Sequence, residues 1–95
     1  MQRSMNLLDL VWEKARSIPG MDPGLFRTDE EGRMIRKTDF NNESSIYGWC
    51  YYHLQPVWEG GNDDVWNIKP LNYVNKLLTM AVSFNGLNEE VILWD

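Results

Sequence analysis

The chain has 95 residues, of which 43% are hydrophobic and five are Trp, so its composition predicts one small folded domain. No apolar run approaches the roughly 20 residues that span a bilayer. Charged residues interrupt the N-terminal apolar stretch at Asp9, Glu13 and Lys14, unlike in a secretory signal. One Cys and one His exclude an internal disulfide and a Cys/His zinc cluster. These features predict a cytoplasmic protein.

Charge is distributed unevenly along the chain. Residues 1–47 carry seven basic and eight acidic side chains, whereas residues 48–95 carry two lysines and six acidic residues. Binding to duplex DNA depends largely on Lys and Arg side chains that neutralise phosphates. The acidic second half therefore makes duplex DNA a less favoured partner. A local basic stripe of Arg33, Arg36 and Lys37 is the exception.

The first half of the chain predicts one helix followed by short strands. Ser4 is a candidate N-cap for a helix that Pro19-Gly20 ends. Its apolar face holds residues at helical spacing, namely Leu7, Leu8, Val11, Trp12, Ala15 and Ile18. Residues 21–40 predict turns and short strands, and residues 41–45 predict a polar loop.

The second half predicts two strands, a helix and a hairpin. Strands are expected at 47–53 and 65–69, separated by a loop in which Gly60 and Gly61 adopt positive φ. A helix is expected at 71–79. The Asn85-Gly86 pair favours a β-hairpin over residues 80–95. The predicted fold is thus α+β, a single domain with a leader at 1–46, a ββα core at 47–79 and the hairpin.

The aromatic residues divide into two groups. Trp12, Trp49 and Trp66 are predicted to lie in or beside the core, and Cys50 is predicted to be a small buried apolar residue. Trp58 lies in a polar loop beside an acidic residue, and Trp94 lies next to the C-terminal residue, so neither has an obvious place in a core.

Residues 48–75 carry a motif with a known pattern. They read GWCYYHLQPVWEGGNDDVWNIKPLNYVN, against the pattern G-W-x-x-D-H-x-x-P-V-x-x-G-G-x-D-D-x-x-N-L-x-P-L-x-x-x-N. The matching positions are Gly48, Trp49, His53, Pro56, Val57, Gly60, Gly61, Asp63, Asp64, Asn67, Pro70, Leu71 and Asn75. This segment resembles the core of the HNH nuclease family. The segment upstream, from Val11, is similar to the leader of one HNH subgroup.

The resemblance implies roles for three residues. His53 would be the general base toward water, Asn67 would brace the loop and orient that histidine, and Asn75 would be the metal ligand on the helix. In this family one divalent ion, usually Mg²⁺, stabilises the leaving oxygen as a phosphodiester is cut.

The chain departs from the family pattern at Tyr52, where an active member has a metal-binding carboxylate. A neutral phenol is a poor Mg²⁺ ligand. Glu59 also stands where the subgroup commonly has Lys, and Lys76 is followed by few basic residues. The expectation is therefore no cofactor in an inactive protein, with weak binding of Mg²⁺ or Mn²⁺ if activity persists.

Three functions follow from this motif. The leading hypothesis is a catalytically degenerate HNH-like binding protein, an inhibitor or sequestering protein of the kind that phages use against host defence, working in the host cytoplasm. Its partner is either a host protein with a basic surface or a small nucleotide. The alternatives are an active metal-dependent endonuclease with an altered ligand set, and a structural protein that self-associates through its hairpin.

Two candidate binding surfaces correspond to the two kinds of partner. Acidic residues around an aromatic anchor suit a basic protein, and they are Trp58, Glu59, Asp63 and Asp64. A nucleotide would need the basic stripe, chiefly Arg33 and Arg36, with an aromatic ring that stacks on the base.

Overall fold

The computed structural model describes residues 5–87, and it has an α+β architecture, as the sequence predicts. The helices and strands are, in chain order, α1 (Leu7–Trp12), β1 (Arg16–Ser17), β2 (Phe26–Thr28), β3 (Met34–Arg36), β4 (Trp49–His53), β5 (Ile68–Asn72) and α2 (Tyr73–Leu87). Short 3₁₀ turns lie at Lys37–Asp39, Val57–Glu59 and Val65–Asn67.

Helix α1 is shorter than the apolar spacing predicts. It begins after Asn6, whose Oδ1 accepts a hydrogen bond from the Asp9 N–H at 2.9 Å, and it ends at Trp12. The predicted cap, Ser4, lies outside the described residues. The guanidinium of Arg27 donates to the carbonyls of Glu13 and Ala15 just past the helix end. These tertiary bonds satisfy carbonyls that a longer helix would use, and the chain continues into β1 instead.

The first sheet has three antiparallel strands in the order β1-β2-β3. The turn between β2 and β3 is organised by Asp29, whose Oδ1 accepts hydrogen bonds from the N–H groups of Glu31 and Arg33. Gly32 in this turn has φ of 92°, a conformation that favours glycine. The short strands predicted for residues 21–40 are therefore confirmed.

The second sheet pairs β4 with β5, in register from Trp49↔Asn72 to His53↔Ile68. The first strand lies within the predicted range, but β5 begins three residues later than the predicted start at Val65. Residues 65–67 form a 3₁₀ turn instead, and the strand continues through Pro70. A two-stranded sheet has only edge strands, which can tolerate a proline that lacks an N–H donor.

Helix α2 corrects the prediction for the C-terminal part of the chain. The helix runs from Tyr73 to Leu87, so residues 80–87 are helical and do not form the first arm of a hairpin. Leu77, Leu78 and Met80 are good helix formers, and a helix that has already begun extends cooperatively through such residues. The predicted second arm lies outside the described residues. Strand, strand and helix follow one another across residues 49–87.

The core joins the leader to the second sheet. Its buried residues come from α1, the segment after it, β3, β4 and β5, and they are Val11, Trp12, Ala15, Ile35, Trp49 and Ile68. The rings of Trp12 and Trp49 lie 5.3 Å apart. These positions confirm the predicted burial of both tryptophans. Cys50 is also buried, and burial raises the pKa of its thiol.

Candidate functional site

The loop between β4 and β5 is held in shape by Asn67. This residue is fully buried, its Oδ1 accepts from the Gln55 N–H at 2.8 Å, and its Nδ2 donates to the carbonyls of Gln55 and Asn62. The predicted bracing of the loop by Asn67 is therefore confirmed. Its bonds go to the backbone, and its role in orienting His53 remains a prediction.

The two glycines of this loop are needed for different reasons. Gly60 has φ of 95°, as the sequence predicts. Gly61 has no such φ, but a Cβ there would lie 1.7 Å from the Gln55 carbonyl oxygen. Close packing of backbone against backbone therefore requires glycine at position 61. The loop has a defined shape, and residues at its tip are presented on a fixed frame.

His53, at the end of β4, is paired with Asp63. The Nε2 atom lies 2.7 Å from Asp63 Oδ1. Because a carboxylate only accepts hydrogen bonds, Nε2 carries the proton and Nδ1 is left as the acceptor nitrogen in the neutral ring. The motif thus places two of its predicted residues together, and the contact anchors the acidic loop to the strand.

Tyr52 lies beside a cation rather than beside metal-binding groups. It is opposite Lys69 in the strand register, and the Lys69 ammonium is 5.4 Å from the centre of the Tyr52 ring. Lys69 also forms an ion pair with Glu30. Side chains alternate along a strand, so Tyr52 and His53 point to opposite faces of the sheet.

Asn75 is committed to a buried polar cluster. Its Nδ2 donates to Asp29 Oδ2 at 2.8 Å, and its Oδ1 accepts from Arg33 Nε at 2.9 Å. The same Asp29 oxygen accepts a hydrogen bond from the N–H of Asn72. Asn72 pairs across the sheet with Trp49, which lies four residues before His53 on β4. At about 3.3 Å per residue, the two ends of this hairpin are roughly 13 Å apart.

The predicted ligand set does not fit a divalent cation. The Asn75 Oδ1 atom, which would be the ligand, faces a guanidinium that repels a positive ion. The position of the missing carboxylate faces an ammonium. Within residues 5–87 no group of three His, Cys, Asp or Glu side chains is arranged to hold a metal.

Asp29, which links the leader to the second sheet, was not among the residues predicted for the site. Asp29 is fully buried and accepts four hydrogen bonds, two from its own turn and two from Asn72 and Asn75. Buried carboxylates are rare unless they are so satisfied. An Asp three residues before a Gly is a local signal for a turn. Local sequence does not indicate the partners of this Asp, which lie more than 40 residues away.

The surface of the loop carries a patch of exposed apolar residues. Trp58 is 81% exposed, Trp66 is 63% exposed, and Leu54 and Val57 are also exposed. We call residues 54–66 the tryptophan loop. The predicted burial of Trp66 is wrong. In a continuous strand, Trp66 would point to the same side as buried Ile68. Residues 65–67 form a 3₁₀ turn instead, and this turn rotates the indole outward.

The tryptophan loop is also acidic. Glu59, Asp63 and Asp64 are all exposed, and Asp64 accepts a hydrogen bond from the Trp66 indole N–H at 3.1 Å. This bond fixes one of the two exposed indoles, so the loop offers an orientated aromatic ring among carboxylates. The predicted binding residues of the loop are thus brought onto one segment, with Trp66 as an addition.

The basic stripe is not a free cationic surface. Arg33 donates to Asn75, Arg36 pairs with Asp39 at 3.1 Å, and Lys37 pairs with Asp9 at 2.8 Å. A hydrogen bond from the Ser45 hydroxyl has the largest effect on the pKa of Asp39 and lowers it. Arg36 also lowers this pKa, whereas burial raises it, and the net result lies below the ordinary value. These cations therefore already serve the fold.

Comparison with known proteins adds no relative. No family model, curated protein or solved structure matches the chain. The HNH resemblance rests on the motif residues alone. No helix in the described part of the chain has the length and apolarity to cross a membrane.

Proposed function

We propose that this chain is a catalytically degenerate HNH-like binding protein that inhibits or sequesters a host protein, as phage anti-defence proteins do. The partner presents a basic surface, such as the DNA channel of a host nuclease. The tryptophan loop is its docking surface. The observation that carries the proposal is the pair of exposed tryptophans set among three carboxylates on a braced loop.

The energetics of interfaces support this choice of surface. Trp is among the residues that most often dominate binding energy, provided that it becomes desolvated in a complementary pocket. Trp58 and Trp66 are exposed, so a partner would remove much of their surface from water. Glu59, Asp63 and Asp64 would steer a basic partner and speed its association.

A nucleotide partner held by the basic stripe has less support. Arg33, Arg36 and Lys37 are engaged with Asn75, Asp39 and Asp9, so a phosphate would have to break those contacts. The cost of that exchange would reduce the affinity.

The test is capture of a partner from host extract by tagged wild-type protein and by matched variants. Trp58→Ala is expected to abolish capture, whereas Ile46→Ala, at another exposed apolar residue, leaves it intact. Glu59→Lys should weaken capture more than Arg33→Ala does. Because Arg33 donates to Asn75, the two variants are compared at a temperature at which Arg33→Ala is folded. The reverse order of the two charge variants would contradict a basic protein partner.

A second experiment tests the loss of nuclease chemistry. The protein at micromolar concentration should not nick supercoiled plasmid in Mg²⁺ or Mn²⁺ within an hour, because the metal ordinarily supplies several kcal/mol of transition-state stabilisation and each 1.36 kcal/mol is tenfold in rate. Nicking that EDTA and His53→Ala both abolish would contradict the proposal and support the endonuclease alternative.

A further inference from the structure

A cleft separates the edge strand β1 of the first sheet from the edge strand β5 of the second. Its volume is about 320 Å³, near the lower end of ligand-binding pockets. Ala15, Ile68 and Pro70 border it but are themselves buried, so its accessible apolar surface comes from Leu54, which is exposed. The cleft shares Leu54 with the tryptophan loop, but neither exposed indole of that loop lines it.

The cleft is lined by an excess of positive charge. Three cations, Lys14, Arg16 and Lys69, share it with one carboxylate, Glu30, in a protein whose net charge is −5. Lys14 donates to the carbonyls of Val65 and Ile68, and Lys69 pairs with Glu30.

Arg16 is the member of this set whose side chain serves no internal contact. Within residues 5–87 its guanidinium has no hydrogen-bond or ion-pair partner, and the residue is exposed on β1. A planar guanidinium with free donors suits bidentate recognition of a phosphate or carboxylate. It contrasts with Arg33 and Arg36, which are both engaged.

We propose that this cleft binds a small phosphate monoester, with Arg16 and Lys69 on the phosphate and the apolar body of the ligand against the exposed side chain of Leu54. Three cations and one carboxylate leave a net charge of +2, which matches a dianionic phosphate better than a monoanionic carboxylate. The volume limits the ligand to about the size of a nucleoside monophosphate or smaller. This site does not depend on the proposed protein partner.

The experiment is an NMR titration of the ¹⁵N-labelled full chain with phenyl phosphate, compared with inorganic phosphate and with phenol. Phenyl phosphate should produce saturating shifts at the amides of Arg16, Ile68 and Lys69, with an affinity above that of either comparator. Shifts that do not saturate, that spread over all basic residues, or that centre on Arg33 would overturn the proposal.

Three variants sharpen the test. Arg16→Ala should weaken phenyl phosphate binding about tenfold, the effect of a lost charged hydrogen bond. Glu30→Gln should tighten binding, because it frees the Lys69 ammonium from its competing carboxylate. Lys76→Ala removes one positive charge outside the cleft and should leave the affinity within about twofold. Equal weakening by Arg16→Ala and Lys76→Ala, or no tightening by Glu30→Gln, would show nonspecific attraction and overturn the assignment.

Discussion

The two ends of the β4–β5 hairpin differ in what their polar and aromatic residues do. At the Asn72 end, Asp29, Asn72, Asn75 and Arg33 are joined by hydrogen bonds, and the backbone of the first sheet is tied to the second. At the His53 end, the tryptophan loop turns two indoles outward. One end therefore stabilises the fold, and the other exposes aromatic side chains. The motif residues are shared between them, so a motif match alone does not identify a working site.

The largest expected effect compares two tryptophans from the same motif. Trp49→Ala should cost about 4 kcal/mol of unfolding free energy, since it empties a fully buried site. Trp66→Ala should cost less than about 0.5 kcal/mol, because the side chain is mostly exposed. Urea denaturation followed by far-UV circular dichroism measures both. Similar losses for the two variants would break the distinction between the ends.

A second prediction concerns the buried carboxylate. Asp29→Ala should cost about 3 kcal/mol, because it leaves the N–H donors of Asn72 and Asn75 without their shared acceptor. Glu31→Ala, in the same turn but exposed, is the matched control and should change stability by less than about 0.5 kcal/mol. The measurement is again urea denaturation. A small effect of Asp29→Ala would mean that the Asn72 end does not hold the two sheets together.

A substitution of Asn67 tests whether the tryptophan loop depends on the hydrogen bonds of this side chain for its shape. Asn67→Ala should cost about 2 kcal/mol by removing contacts to Gln55 and Asn62. It should also speed amide hydrogen exchange within residues 54–66, while exchange in β2 and β3 stays near wild type. Unchanged exchange in the loop would show that Asn67 does not hold its shape.

The smallest expected effect is a change in the pKa of Asp39, which lies on the segment that leads into β4. Ser45→Ala removes the 2.6 Å hydrogen bond that contributes most to the lowered pKa of this carboxyl, so the pKa should rise toward its ordinary value. With a lowered folded-state pKa, Asp39 stabilises the fold above its ordinary pKa, and this contribution is lost as the pH falls through the folded value. Side-chain carboxyl ¹³C NMR of the wild-type protein and of Ser45→Ala measures the shift.

Sequence patterns predicted the parts of the fold that local spacing governs. The α+β class, the position of β4 and the burial of Trp12 and Trp49 follow from apolar and aromatic patterning. The early end of α1 depended instead on Arg27, a residue distant in sequence that takes the carbonyls at the helix end. The helical residues 80–87 were misassigned because an Asn-Gly pair is a strong local signal for a turn.

The candidate site was predictable in its residues but not in their contacts. The motif spacing identified Asn67 and Asn75, yet Asn75 is held by Asp29 and Arg33 of the leader, which no short-range pattern relates to α2. Trp66 was misplaced because one 3₁₀ turn breaks the alternation of a strand. Local sequence does not fix such a turn when the residue that braces it, Asn67, acts through the tertiary structure of the loop.

Contact between the tryptophan loop and a basic protein partner is the proposal on which the other predictions for this surface rest. The most direct test is photo-crosslinking in host extract, with a photoreactive amino acid at position 66, at position 58 or, as the control, at position 46. We expect positions 66 and 58 to crosslink to one protein through Lys- and Arg-rich peptides. We also expect 0.5 M salt to diminish the crosslink and position 46 to give none. A partner that crosslinks from position 46 but not from positions 58 and 66 would contradict the claim.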